Sequence, residues 1–286
     1  MKYQPALKWL IPAIAVLALF AAGMGLFYSS PGRPYTLTTF RGEQVQINNQ
    51  GLYRFDTVSS AAQMQGNDVI TLVVGLPLLL ASAWLAFNGS LRGRLAMTGT
   101  LGFFLYTYMS MSALTAYNSL FLVYVALFGL SLYAFILGML SFDLASLPEH
   151  FKPALPRRWV AGVLFAVGGF LVLAWLGRVI PELLNPHAPA ALENTTTRVI
   201  QAMDLTLIAP LAILAGVLLL RKSPWGHLLA AIAVTKGLTM ALAVSTMSIN
   251  MALRGVPDSL SIMLPFLVLT VLTLVTGVIL LRNLQE

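Results

Sequence analysis

The stretch VITLVVGLPLLLASAWLAFNGSLRGR, residues 69–94, decides what solvent this chain folds in. From Val69 to Phe87 it carries no charged side chain, and about 20 apolar residues in a row are what a helix needs to cross a hydrocarbon core roughly 30 Å thick. Asn88-Gly89-Ser90 then turns the chain, and Arg92 and Arg94 stand where a helix end meets lipid headgroups. Similar runs recur along the 286 residues, of which 58% are hydrophobic and 9% charged, against about 25% charged in an ordinary soluble domain. That much apolar surface cannot be hidden in a soluble fold.

The apolar runs predict an all-α membrane protein, a single transmembrane domain over residues 1–286 with spans near 9–27, 69–87, 95–116, 120–140, 159–176, 199–220, 228–249 and 260–281. Barrel strands would alternate in character and run only about 10 residues, so the spans are helices, which satisfy their own backbone in lipid. The first run follows Lys2 and Lys8 like a signal peptide, but its core is longer than the 7–15 residues of such a segment, and it reads as an uncleaved anchor.

Eight spans place both termini on one side. With these termini inside, Lys2, Lys8, Arg92, Arg94, Lys152, Arg157, Arg158, Arg221, Lys222 and Arg282 are cytoplasmic, whereas Arg33, Arg41, Arg54, Arg178, Arg198 and Arg254 are outside. This satisfies the positive-inside rule and explains the net charge of +7 without nucleic acid. The chain has no cysteine, which excludes disulfides, thiolate metal sites and thiol redox catalysis.

Residues 29–67 form the one sizeable segment outside the membrane. Period-2 character at 35–40, 44–47 and 52–58, with Asn48-Asn49-Gln50-Gly51 as turn chemistry, predicts a small extracytoplasmic β-hairpin resting on the bundle, with Tyr53 facing outward. Ser60-Ala61-Ala62-Gln63 has capping-box spacing and predicts a short helix leading into the second span.

The two halves of the chain resemble each other. Pro77 followed by Ser90-Leu91-Arg92-Gly93 recurs as Pro210 followed by Ser223-Pro224-Trp225-Gly226 at the same offset. Four spans per half would make two parallel four-helix repeats; the alternative is that two proline-bearing apolar helices match by chance.

At Leu52-Tyr53-Arg54-Phe55-Asp56-Thr57-Val58, Asn67-Asp68-Val69-Ile70-Thr71-Leu72 and Ser90-Leu91-Arg92-Gly93-Arg94-Leu95, the chain resembles a family of uncharacterised bacterial polytopic inner-membrane proteins. The likeness continues through Phe104–Tyr108, Asn118–Leu122 and Arg221–Gly226. It implies a bacterial inner membrane and carries over no catalytic residue.

Ionisable groups inside a membrane cost roughly 2.5 to 3.5 kcal/mol at a helix centre on insertion scales, which makes each a candidate for function. Asp204, in the sixth span, shares a face with Arg198 and Gln201; Lys236, in the seventh, has Thr239 on its face. A direct or water-bridged Asp204–Lys236 pair is expected, either fixing helix register or serving as an ion relay or clamp for an anionic ligand. Pro210 is expected to free the carbonyl of Thr206 beside it. The third span is unusually polar, and Tyr106, Ser110, Ala113 and Tyr117 fall on one face, either gluing helices or lining a ligand site opposite Asp204 and Lys236.

No cofactor is expected. His150 and His227 fall at the cytoplasmic edge and His187 in an outer loop, which does not suit haem, and there is no metal motif, P-loop, dinucleotide fingerprint or nucleophile elbow. The sequence therefore leans away from an enzyme. It reads as a small-molecule or ion transporter with a site between spans 3, 6 and 7. The alternative is a non-catalytic membrane subunit or sensor whose hairpin meets an extracytoplasmic protein, or a homo-oligomer; the lipid bilayer is the partner common to both.

Overall fold

The computed structural model describes residues 1–185, 192–257 and 259–285, so His187 lies outside the described residues. Eight long helices follow in order: α1 Gln4–Phe27, α2 Val58–Phe87, α3 Leu91–Leu114, α4 Phe121–Leu140, α5 Arg157–Leu184, α6 Val199–Leu220, α7 Pro224–Leu253 and α8 Ser259–Arg282. All but α3 are long and apolar enough to cross a membrane, and the chain is a multi-pass membrane protein.

The connections collect on two opposite faces. On one, Arg92 donates to the carbonyls of Leu281 and Leu284, Lys152 to that of Arg282, and Gln4 to that of Phe87. On the other, Ala116 N–H donates to Asp56, Asn194 to the Phe55 carbonyl, and Arg254 to Asn48. The first is called the basic face, the second the hairpin face. Because the turn before α3 lies on the basic face and the turn after it on the hairpin face, α3 crosses with the others.

Its composition follows from its place. Fifteen of the 24 residues of α3 are buried, so its surroundings are protein and not lipid. Hydroxyls that lipid could not satisfy bond back to the helix: Thr98 to the Arg94 carbonyl at 2.9 Å and Thr100 to that of Ala96 at 2.8 Å. Helix α7 packs against α3 so closely that a Cβ on Gly99 would lie 2.5 Å from Thr235 Cβ, the small-residue contact that lets membrane helices approach. Of the spans that qualify by composition, α7 is the least apolar and the most buried. The two polar helices are the central pair.

The halves match element by element. A π-helical turn interrupts α2 at Thr71–Gly75 and α6 at Asp204–Ile208, and Pro77 and Pro210 follow at equal distances. The wide turn routes Leu76 N–H to the Thr71 carbonyl and Ala209 N–H to that of Asp204, which accommodates prolines that have no N–H of their own. Gly93 packs against Leu85 and Ala86, and Gly226 against Leu218 and Leu219, at the same offset and in backbone contact too tight for a Cβ. α3 pairs with α2 and α4 as α7 does with α6 and α8.

The hairpin is present, with a different turn. β1 Tyr35–Thr38 pairs antiparallel with β2 Gln44–Ile47, and the chain reverses at Thr39–Glu43, where Gly42 has φ +84°. Residues 48–57 are not a third strand beyond one bridge of Ile47 to Thr57. Instead Asn49 and Gly51 turn with positive φ and seat Leu52 and Tyr53 in the bundle, where Tyr53 is buried. The loop rests on the helices; β1 itself is exposed. Thr57, not Ser60, caps the next helix, its hydroxyl accepting the Ser60 N–H at 3.1 Å, and α2 then runs without a break into the membrane.

Candidate functional site

Four helices meet at Asp204. The residue begins the π-turn of α6 and is 8% exposed. The Tyr106 hydroxyl from α3 donates to Oδ1 at 2.7 Å, and the indole N–H of Trp175 from α5 donates to Oδ2 at 2.9 Å. Lys236 of α7 sets its Nζ 4.0 Å from the centre of the Tyr106 ring. The phenol thus separates the two charges: its hydroxyl serves the carboxylate and its face the ammonium, a cation–π contact. No direct ion pair joins Asp204 to Lys236 among the described residues.

Spans 3, 6 and 7 therefore meet as the sequence predicts, but through Tyr106 and not a direct contact. Trp175 is the member that sequence reasoning missed. Its signal was an indole donor inside an otherwise apolar span, which needs an acceptor when buried.

The other predicted residues divide. Thr239 is fully buried, with its hydroxyl donating to the Lys236 carbonyl at 2.9 Å. Ser110 likewise bonds within its helix, to the Thr107 carbonyl at 2.7 Å. Gln201 is half-buried one turn before Asp204. Arg198 does not join Asp204: its Nε donates to Glu182 of α5 at 3.1 Å, an ion pair at the hairpin-face end of the bundle. Thr206 is exposed on the outside of the bundle, since two residues along a helix from buried Asp204 is roughly the opposite face. Tyr117 lies beyond the end of α3, 77% exposed, and does not continue the Tyr106 face.

A second buried carboxylate lies in the first half. Asp68 of α2, 2% exposed, accepts the Tyr53 hydroxyl at 2.7 Å and is roofed by Gly25 of α1, where a Cβ would meet Asp68 Oδ2. The stacked rings of Tyr108 and Tyr124 enclose it. Its place was hidden because the second span was expected to begin at Val69; the helix starts at Val58 and carries Asp68 inside.

Two cavities open toward the faces. One of about 290 Å³ on the basic face is walled by Leu91, Arg94, Phe142 and His150 among others. One of about 200 Å³ on the hairpin face lies between the end of α3 and the start of α6. Neither is lined by Asp204 or Lys236, and the Asp204 carboxylate is itself buried. Comparison of the chain with protein-family models, curated proteins and solved structures gives no match.

Proposed function

We propose that the protein moves an ion or small solute across a bacterial inner membrane, with both termini cytoplasmic, and that Asp204, Tyr106, Trp175 and Lys236 form the site that the cargo contacts. One observation carries the reading. The π-turn of α2 forms around Thr71 at the position equivalent to Asp204, so this backbone does not require a carboxylate. A charge that folding does not need, kept inside a membrane at a cost of a few kcal/mol, is retained for chemistry. The concentration of Lys and Arg on the basic face supports the orientation, and the family resemblance supports the compartment.

Proteoliposomes test the transport reading. Charge movement under H⁺, Na⁺ or K⁺ gradients, or uptake from a panel of amino acids, sugars and organic anions, should appear with the native chain and vanish in Asp204→Ala. Native and variant vesicles indistinguishable from protein-free liposomes for every probe would overturn it. Orientation is read from Phe40→Cys, whose parent residue is 75% exposed on the hairpin; labelling only from the cytoplasm would reverse it.

Tyr35, Leu37 and Phe40, all exposed on the hairpin, favour a second reading as a subunit or sensor that binds an extracytoplasmic protein. That reading predicts that Leu37→Glu with Phe40→Glu abolishes function in cells while vesicle transport is absent or unchanged.

A further inference from the structure

The cavity on the hairpin face has two walls, Ala113, Leu114 and Ala116 from the end of α3 and Asn194, Thr195 and Val199 from the approach to α6. Its floor leads toward the buried site: Val199 precedes Asp204 on α6 and Ala113 follows Tyr106 on α3. At 1.5 Å per residue these offsets put the cavity about 7–10 Å above the carboxylate.

Residues 55–57 tie the two walls together. Asp56 Oδ1 accepts the Ala116 N–H at 3.0 Å and the Ser60 hydroxyl at 3.1 Å. The Phe55 carbonyl accepts Asn194 Nδ2 at 2.9 Å, and the Thr57 hydroxyl donates to the Glu193 carboxylate. Asp56 is 3% exposed, and its Oδ2 is buried with no hydrogen-bond partner among the described residues.

We propose that this cavity is the entrance to the Asp204 site and that Asp56 is the latch on its walls, closed while its carboxyl is protonated and released when that proton leaves to water. The entrance rests on reading Asp204 as the ligand site; the latch does not. Oδ1 accepts its two hydrogen bonds in either state, so the difference lies at Oδ2. Ionised, that oxygen would hold negative charge in a site with no donor, facing Glu193 from the α5–α6 loop. The other titratable group turned to it is the Tyr124 phenol of α4; α2 offers Ser60 and the α3–α4 loop an amide. Arg54, two residues earlier in the chain, lies over the exposed Phe55 ring.

Burial, reinforced by Glu193, pushes the Asp56 carboxyl up to about 6 from its ordinary 3.8. In an opened, hydrated state it returns toward the ordinary value, so the closed form binds the proton more tightly. Closure is fully favoured below about 4 and is lost as pH rises through about 6. The full swing in the closed-to-open ratio is on the order of a hundredfold.

A chain without cysteine allows a direct test. Val199→Cys, in the cavity wall, is labelled with a membrane-impermeant maleimide in sealed vesicles at pH 5 and pH 7.5, and its rate is divided by that of Phe40→Cys to cancel thiol ionisation. The ratio should rise severalfold or more with pH in the native background and stay flat with Asp56→Asn. A flat native ratio, or an equal rise with Asp56→Asn, overturns the latch. Should Asp56→Asn fail to fold, Glu193→Gln decides: removing the like charge must move the midpoint to lower pH, and an unmoved midpoint overturns the proposal. An Asp204→Ala protein that keeps both the pH step and full uptake sinks the ligand-site reading while the latch stands.

Discussion

Thr71 and Asp204 each open a π-turn, each offer their carbonyl to the N–H five residues on, and each stand at the same distance from a proline, a serine cap and a close-packed glycine. Around Asp204 the neighbouring helices supply Tyr106, Trp175 and Lys236. The equivalents of Tyr106 and Lys236 around Thr71 are Thr239 and Phe103, both fully buried and neither charged, and the Thr71 hydroxyl is left without a partner. One backbone thus exists in a neutral and an ionisable version within one molecule. The neutral version shows what the turn needs to fold, and the difference between them is what the second half has added.

The widest separation between the two turns should come from deleting their first side chains. Asp204→Ala removes an acceptor from two hydrogen bonds and strands a phenol and an indole N–H in a dry bundle. At about 1.5–3 kcal/mol for each bond to a charged group, the loss is roughly 3–6 kcal/mol. Thr71→Ala removes a hydroxyl that bonds nothing and one buried methyl, and should change stability by about 1 kcal/mol or less. Denaturation of both variants in detergent checks the contrast, and equal losses would mean that the hydrogen bonds from Tyr106 and Trp175 to the carboxylate contribute nothing to stability.

The glycines that close each proline helix against its successor should behave alike. A Cβ on Gly93 would lie 2.6 Å from Ala86 N, and one on Gly226 2.3 Å from Leu219 N, backbone atoms that no rotamer change can move. Gly93→Ala and Gly226→Ala should each cost about 1–3 kcal/mol or more by overpacking. A large cost at one and none at the other would break the structural equivalence of the halves.

Much of this was legible in the sequence because lipid allows few choices. Spans and tight turns follow from bilayer thickness and turn chemistry, and the proline offset points to the matching halves. Less legible were features that depend on neighbours. Nothing local says that the 13 residues Val58–Ile70 belong to one continuous helix that carries Asp68 inside, because Gln63, Gln65 and Asn67 look like a surface segment. Thr206 enters the candidate site through its carbonyl, which Pro210 would free one turn earlier in a regular α-helix, and nothing local announces the π-turn that changes the bonding there. Composition points to Asn48–Gly51 as the hairpin turn. Those residues do turn, but to seat Tyr53 against Asp68, while Gly42 makes the reversal between the strands.

The loop above these turns should make stability depend on pH. Asp56 is held near 6 in the fold and returns to an ordinary 3.8 when unfolded, so the folded state binds the proton more tightly. Its contribution is complete below about 4 and lost as pH rises through 6; between pH 5 and pH 7 the protein should lose about 1 kcal/mol. Asp56→Asn should remove that slope, measured by thermal unfolding at the two pH values. The slope should persist in Thr71→Ala and Asp204→Ala, since neither touches the loop.

Removing the Lys236 ammonium should change stability little. Phe103 fills the equivalent position in the first half, so a long apolar side chain is compatible with this packing, and Lys236→Met keeps the unbranched stem while removing the ammonium. The lost contact with the Tyr106 ring is worth about 0.5–2 kcal/mol, and the lost desolvation of a buried cation acts in the opposite direction. The net effect on unfolding should stay within about 1 kcal/mol. Activity should respond differently: a cation that only steadies the ring can be removed without much loss, whereas one that meets an anionic cargo or relays a proton cannot. Lys236→Met with native stability and no uptake would assign the ammonium to the cargo. Losing as much stability as Asp204→Ala would instead make the two charges a structural pair acting through the phenol, and the charged π-turn would then be a stronger version of the neutral one.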